Sequence, residues 1–202
     1  SAPYQNTADM RTRGWELSVN WRDQIGKVGY RVGFNLSDSQ SKIVKYNSNE
    51  SGILTSTLSN GSTFWNYYEG KDLGEIWGYE YDGFYTVDDF TDTSSWKLKE
   101  GVPSIDGYNP RPGDVKFKNL KDDDRGTNMI SSGDNTVSNP GDRKVIGNNT
   151  PRYLYGITLG ANFKGFDLNV FMQGTGKRDA WIANNLKFPL YSDFKFIALY
   201  KD

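Results

Sequence analysis

The chain has 202 residues, with 24 Lys and Arg against 25 Asp and Glu, for a net charge of −1. That balance lacks the basic stripe of a nucleic-acid binder. With no Cys and no His, the sequence has no disulfide framework or thiolate site, and it lacks the commonest general base and zinc ligand.

Aromatic residues make up 15% of the chain, beside 22 Gly and many Asn, Asp and Ser. This is the composition of an all-β protein with long loops. No stretch approaches the roughly 18 consecutive apolar residues of a membrane helix. That excludes helical spans only, because barrel strands turn every second residue to the lumen.

In "GWELSVNWRD", Trp15, Leu17, Val19 and Trp21 share one face and Glu16, Ser18, Asn20 and Arg22 the other. Such unbroken period-2 alternation predicts a two-faced strand. A tight turn is predicted over 23–27. In the next run Val28, Tyr30, Val32, Phe34 and Leu36 oppose Gly29, Arg31, Gly33 and Asn35. The two runs predict an antiparallel hairpin.

Residues 37–151 follow, rich in Asn, Ser, Asp, Gly and Pro. Structureless loops of that length are rare, so local structure is expected. "IWGYEYDGFYTV" reads as a small hairpin, "GDVKFKNL" as a strand running into a polar turn, and "SSGDNTVSNPGDRKVIGNNTP" as turn chemistry throughout. A second hairpin is predicted at the end of this region. Tyr153, Tyr155, Ile157, Leu159, Ala161 and Phe163 continue across a "KG" turn at 164–165 to Phe166, Leu168, Val170 and Met172. Leu154 and Phe171 fall out of pattern. "RDAWIAN" reads as a short helix.

The apolar faces could meet the core of a soluble sandwich or lipid, since both architectures require alternation. Three features favour lipid. Both hairpin turns are short and every other connection is long, as in outer-membrane barrels. Aromatics flank both turns (Trp21 and Tyr30 at one, Phe163 and Phe166 at the other), as an interfacial girdle would. The polar faces carry mostly Gly, Ser, Asn and Thr rather than Lys and Glu. The expected fold is all-β, part of a large transmembrane antiparallel β-barrel with a long extracellular loop region. Residues 1–36 and 152–176 are read as barrel strands, 37–151 as an extracellular loop subdomain and 177–202 as a further extracellular loop. Four strands cannot close a wall, so the chain is expected to be a segment of something longer.

"PYQNTADMRTRGWELSVNWRD", "GYEYDGFY", "PGDVKFKNL" and "NPGDRKVIGNNTPRYLYGITLGANFKGFDLNVFMQGTGKRDAW" together resemble the SusC/RagA family of TonB-dependent outer-membrane transporters of Bacteroidetes. The resemblance covers nearly the whole chain, and the last block is its most specific part. It implies a barrel of about twenty-two strands with a plug, lidded by a SusD-like surface lipoprotein. TonB would act through parts of the protein outside this segment, and glycans or peptides would be the substrates. It also implies a place in the Gram-negative outer membrane, in contact with its lipid, and no enzymatic activity.

Family members often carry an Asp-x-Asn-x-Asp-Gly turn, similar to a calcium loop, after the Gly-Asp-Ile-Lys-type strand. Here Asn119 stands at the first ligand position, with Asp122, Asp123 and Asp124 nearby. Lys121 stands at the second and would repel a cation, so a solvated acidic turn is the preferred reading over a calcium site.

The loop aromatics Trp65, Tyr67, Tyr68, Trp77, Tyr79 and Tyr81, with Phe84 and Tyr85, suit a sugar-stacking or partner-binding platform, or the core of a loop subdomain. Trp77, Tyr79, Phe84 and Tyr85 are expected inside, and Trp65, Tyr67 and Tyr68 nearer a partner. Asp82, Asp88, Asp89 and Asp92 lack any sequence sign of the fixed carboxylate separation that glycoside hydrolysis needs, and no catalytic residue is assigned. The charges on the polar faces, Glu16, Arg22, Arg31 and Asp167, could pair with neighbours or touch substrate, and pairing is the preferred expectation. The leading functional reading is a segment of an outer-membrane nutrient importer. The alternative is a soluble, secreted, β-rich glycan-binding module.

Overall fold

The computed structural model describes residues 8–105, 107–121 and 129–180. Two long strands open it, β1 (Ala8–Ile25) and β2 (Val28–Tyr46), paired antiparallel from Ile25↔Val28 upward. The turn is two residues, Gly26 and Lys27, shorter than the 23–27 read from sequence. Gly26 takes φ +60, as the first position of a type II′ hairpin turn demands.

The connecting region holds short pieces: β3 (Thr55–Thr57), β4 (Thr63–Trp65), β5 (Glu75–Tyr79), β6 (Tyr81–Phe84), a single 3-10 turn (Val87–Asp89), β7 (Phe90–Asp92), β8 (Lys97–Leu98), β9 (Ser104–Ile105), β10 (Val115–Phe117), β11 (Met129–Ile130) and β12 (Arg143–Asn148). The second long hairpin is β13 (Arg152–Phe163) and β14 (Phe166–Lys177). Its turn residues Lys164 and Gly165 both have positive φ, 47 and 85, the type I′ geometry that matches strand twist.

The fold is all-β. The four long strands form one sheet in the order β1-β2-β13-β14, every neighbour antiparallel. The register aligns the two alternations. Trp21, Val32, Leu159 and Val170 lie in one row; Val19, Phe34, Ile157 and Met172 lie in the next. Ile25, Val28, Phe163 and Phe166 close the bottom row, so both tight turns sit side by side at one end of the sheet. The opposite face carries rows such as Ser18, Asn35, Gly156 and Gln173. Leu154 and Phe171, the two misfits, stand on that polar face.

Two readings of the connecting region are corrected. "IWGYEYDGFYTV" is not a hairpin: β5 pairs with β12 and β6 with β10. The stretch read as turn chemistry throughout contains β12. Tight turns do precede it, at Gly133 and Gly141, where an added Cβ would come within 2.5 Å of neighbouring backbone. The alternation stops at Leu36, yet β2 runs on to Tyr46, because its upper part has partners on both sides. β1 continues to pair with it. On the other side, β13 leaves at Ser37↔Leu154 and residues 70–73 take its place. Lys71 and Ser41 carbonyls accept from Ile43 and Leu73 N–H at 2.9 and 2.8 Å, and Gly70 N–H donates to Ile43 O at 2.8 Å. The connecting region is therefore tied to the sheet by backbone hydrogen bonds. Its own core is Leu54, Tyr68 and Trp77, packed with Val137.

Candidate functional site

Two surfaces can carry function: the faces of the long sheet, and the aromatic-rich region built on its upper end.

On the apolar face no described residue covers the side chains. Trp21 is 61% exposed, Leu168 62% and Phe166 82%. Fully burying one such side chain is worth about 1.5–3 kcal/mol, and apolar patches spanning four strands are foreign to a water-facing surface.

The polar face is paved differently. Long polar side chains lie flat over glycines of the neighbouring strand. A Cβ on Gly33 would meet Asn20 Oδ1 at 2.9 Å, one on Gly29 would meet Asn162 Oδ1 at 2.7 Å, and one on Gly160 would meet Arg31 Nε at 2.5 Å. Crossing Gly160, Arg31 donates from Nη2 to Asn169 Oδ1 at 2.5 Å. The hollow beside it, about 510 Å³, is lined by Arg22, Gln24, Arg31, Asn162, Asp167 and Asn169 among others. Arg22 stands directly across from Arg31. Among the described residues, the expected pairing of Glu16, Arg22, Arg31 and Asp167 is met only by the Arg31–Asn169 bond, which needs no carboxylate.

The six loop aromatics fall in separate places. Trp65 and Tyr67 are exposed; the Arg143 guanidinium lies 5.9 Å from the Trp65 ring centre, and Tyr46 packs edge-on to Tyr67 at 6.2 Å. Tyr68, expected nearer a partner, is only 4% exposed. Its hydroxyl donates to Glu75 Oε1, and Trp77 Nε1 donates to the same carboxylate oxygen at 2.8 Å. Burial and the Glu75 carboxylate push the Tyr68 phenol well above its ordinary pKa. Tyr68 and Trp77 are thus core, without the free ring faces a stacking platform needs. Tyr79 is half-buried against Phe117 at 5.6 Å, and Tyr81 is exposed with Phe84 at 5.7 Å. Phe84, expected inside, is 55% exposed, because its pairing with Val115 turns the ring outward from the subdomain core. Tyr85 is buried, and its hydroxyl donates to Pro103 O at 2.6 Å.

Of the four acidic residues, Asp89 and Asp92 behave as turn caps. Asp89 accepts from Thr86 N–H at 2.7 Å, and that bond holds its pKa below the usual carboxylate range. Asp92 accepts from Ser94 and Ser95, and these bonds hold it lower still. Asn119 is half-buried; Asp122, Asp123 and Asp124 lie outside the described residues, as does most of "RDAWIAN".

Several organising residues were not singled out from sequence. Asp142 is fully buried, and its two oxygens accept from the N–H groups of Leu120, Lys121 and Ser131 at 2.6, 2.9 and 2.7 Å. A carboxylate satisfied by three backbone donors pins three loops to one point. Glu80 receives Lys118 Nζ at 2.6 Å and Lys144 Nζ on its other oxygen. Lys71 is buried, donates to Asn66 O at 3.0 Å and stands 3.8 Å from Glu75. Past β14, Asp179 accepts from Asn148 N–H at 2.7 Å, so "GTGKRD" ends a strand and then clamps β12. The Asp of the quoted Pro-Gly-Asp run was the available signal for Asp142.

No family model matches the chain. It is 28% identical over 180 residues, 87% of its length, to TonB-dependent receptor P3 of Formosa agariphila. The chain spans 16% of that relative's length. An all-β chain with one in-register apolar face, built from hairpins with tight turns at one end, is thus similar to part of a TonB-dependent receptor.

Proposed function

We propose that the chain forms part of the wall, and one large extracellular loop, of a TonB-dependent outer-membrane importer of the SusC/RagA type. The observation that carries this reading is the register. Five consecutive rows, from Leu17 to Ile25 along β1, present apolar residues on one face of all four strands, interrupted only by Gly174 and Asp23. From Trp15 to Ile25 the face runs about 33 Å at 3.3 Å per residue. At a tilt of about 40° this spans about 25 Å, the height of the apolar band of such barrels.

In this reading the apolar face meets lipid and the glycine-paved face lines the lumen. The turns at Gly26 and Lys164 point to the periplasm, and residues 47–151 stand outside the cell. A SusD-like lipoprotein lids the pore, and the exposed pair Trp65 and Tyr67 is its contact or that of a glycan or peptide substrate. A soluble binding module would leave the apolar rows facing water, which counts against it.

The test is made on the full-length protein. Membrane fractionation with heat-modifiable migration should place it in the outer membrane. Trp65→Ala with Tyr67→Ala should leave assembly intact and lower lipoprotein co-purification or uptake. A protein that fractionates as soluble sinks the wall reading; unchanged co-purification and uptake sink the role of the two aromatics.

A further inference from the structure

Above Trp15, the face that is apolar lower down becomes cationic. The register is regular from Met10 to Ile25, so Arg13 and Arg11 continue the side of Trp15, Leu17 and Val19. Lys42 lies directly across from Arg11, and Gln40 across from Arg13. Arg11, Arg13 and Lys42 are exposed and, among the described residues, their side chains have no hydrogen-bond or ion-pair partner. Among the described residues the nearby acids make no ion pair with them. Asp38 is held by Arg152, Asp72 is bridged to Lys42 through backbone without an ion pair, and Asp9 lies in the row of Lys45, beyond the register shift.

Like charges placed directly opposite on two strands destabilise the pair, so this arrangement calls for an anion. Arginine forks match phosphate oxygens two at a time. The position says which anion. Arg13 stands about 7 Å above Trp15 along the strand, and a Trp there marks the lipid–water interface. A phosphate held by the cations would lay its own acyl chains down Leu17, Val19 and Trp21.

We propose that Arg11, Arg13 and Lys42 form a site for the phosphate groups of an anionic lipid on the outer wall of the protein. The inference rests on the wall reading above. A soluble phosphate would use the cations but not the apolar rows.

The experiment uses the delipidated full-length protein in mild detergent, followed by native mass spectrometry. The probes are a diphosphorylated lipid A, the same lipid freed of its phosphates, and inorganic phosphate. The wild type should retain the phosphorylated lipid alone. R11Q/R13Q/K42Q should weaken that retention at least about tenfold, as expected for removing three cations from an anionic surface. R11K/R13K should keep most of it. R22Q/R31Q, which removes arginines from the opposite face, should change nothing. If the triple variant does not assemble, Arg13→Gln alone should still weaken retention measurably. Equal retention by wild type and variants overturns the site, as does equal retention of the phosphate-free lipid. Binding of inorganic phosphate with no preference for lipid overturns it too. A soluble wild type would overturn the wall reading; an assembled wild type indifferent to the phosphorylated lipid overturns this inference alone.

Discussion

Arg152 grips Asp38 through two guanidinium nitrogens, Nε to one carboxylate oxygen and Nη2 to the other. Tyr153 N–H adds a longer bond to the same carboxylate at 3.4 Å. The pair sits where β13 begins and where β2 exchanges one neighbour for another. It fixes the point at which the chain returns from the connecting region to the sheet. Arg152→Ala is expected to lower the unfolding temperature of the assembled protein, and Arg152→Lys to lower it less, since lysine cannot make the two-pronged contact. The double variant with Asp38→Ala should be no worse than Arg152→Ala alone. Additive losses in thermal melts would show that the two residues do not act as a unit.

The two faces of the sheet should respond oppositely to a new charge. Arg at Val32 or Leu159 is expected to cost about 2–4 kcal/mol near the membrane midplane and to reduce outer-membrane yield. Arg at Ser18 or Thr158 should assemble normally. Gly33, though on the polar face, does not belong with the tolerant positions: Asn20 lies over it at 2.9 Å from an added Cβ. Equal yields at Leu159 and Thr158 would contradict the assignment of faces.

The subdomain core should open without dismantling the sheet. Leu54 is fully buried, and Leu54→Ala should cost about 2–5 kcal/mol of local stability. Tyr68→Phe should cost about 1–3 kcal/mol, because the Glu75 carboxylate loses a donor in a buried site. Hydrogen exchange should accelerate across β3, β5 and β12 and stay slow in β13 and β14. Uniform acceleration would mean that the two parts unfold together.

Acid should loosen the connecting region through Glu80. Lys118 and Lys144 hold its carboxyl down at about 2, below an ordinary value of 4.5. A depressed carboxylate stabilises fully above its unfolded pKa, and that stability is lost as pH falls from about 4.5 through about 2. Protease susceptibility of the region should rise across that window in the wild type. Glu80→Gln should be more susceptible at neutral pH and show less change on acidification. Parallel pH profiles for the two proteins would remove Glu80 from the account.

What the sequence determined by itself is the pair of long hairpins and their two faces. Alternation is a property of local backbone geometry, so Trp21 and Arg22 are assigned to opposite sides without knowing any neighbour. The tight turns are equally local, since Gly26 and Gly165 supply the positive φ that short hairpin loops require. Tertiary structure alone decided the connecting region. There the strands are two to six residues long, too short for a period to declare itself, and β5 finds its partner in β12 rather than in adjacent β6. Tyr67 and Tyr68 are neighbours of the same type, yet one is exposed and the other is core, because burial there depends on how the chain folds Leu54, Glu75 and Trp77 back around Tyr68 and brings Val137 in from farther along. Asp142 reads as one more acidic turn residue until three backbone donors converge on it. The upper half of β2 was hidden for the same reason: polar on both faces from Ser37 to Lys42, it becomes a strand because β1 and residues 70–73 pair with its two edges.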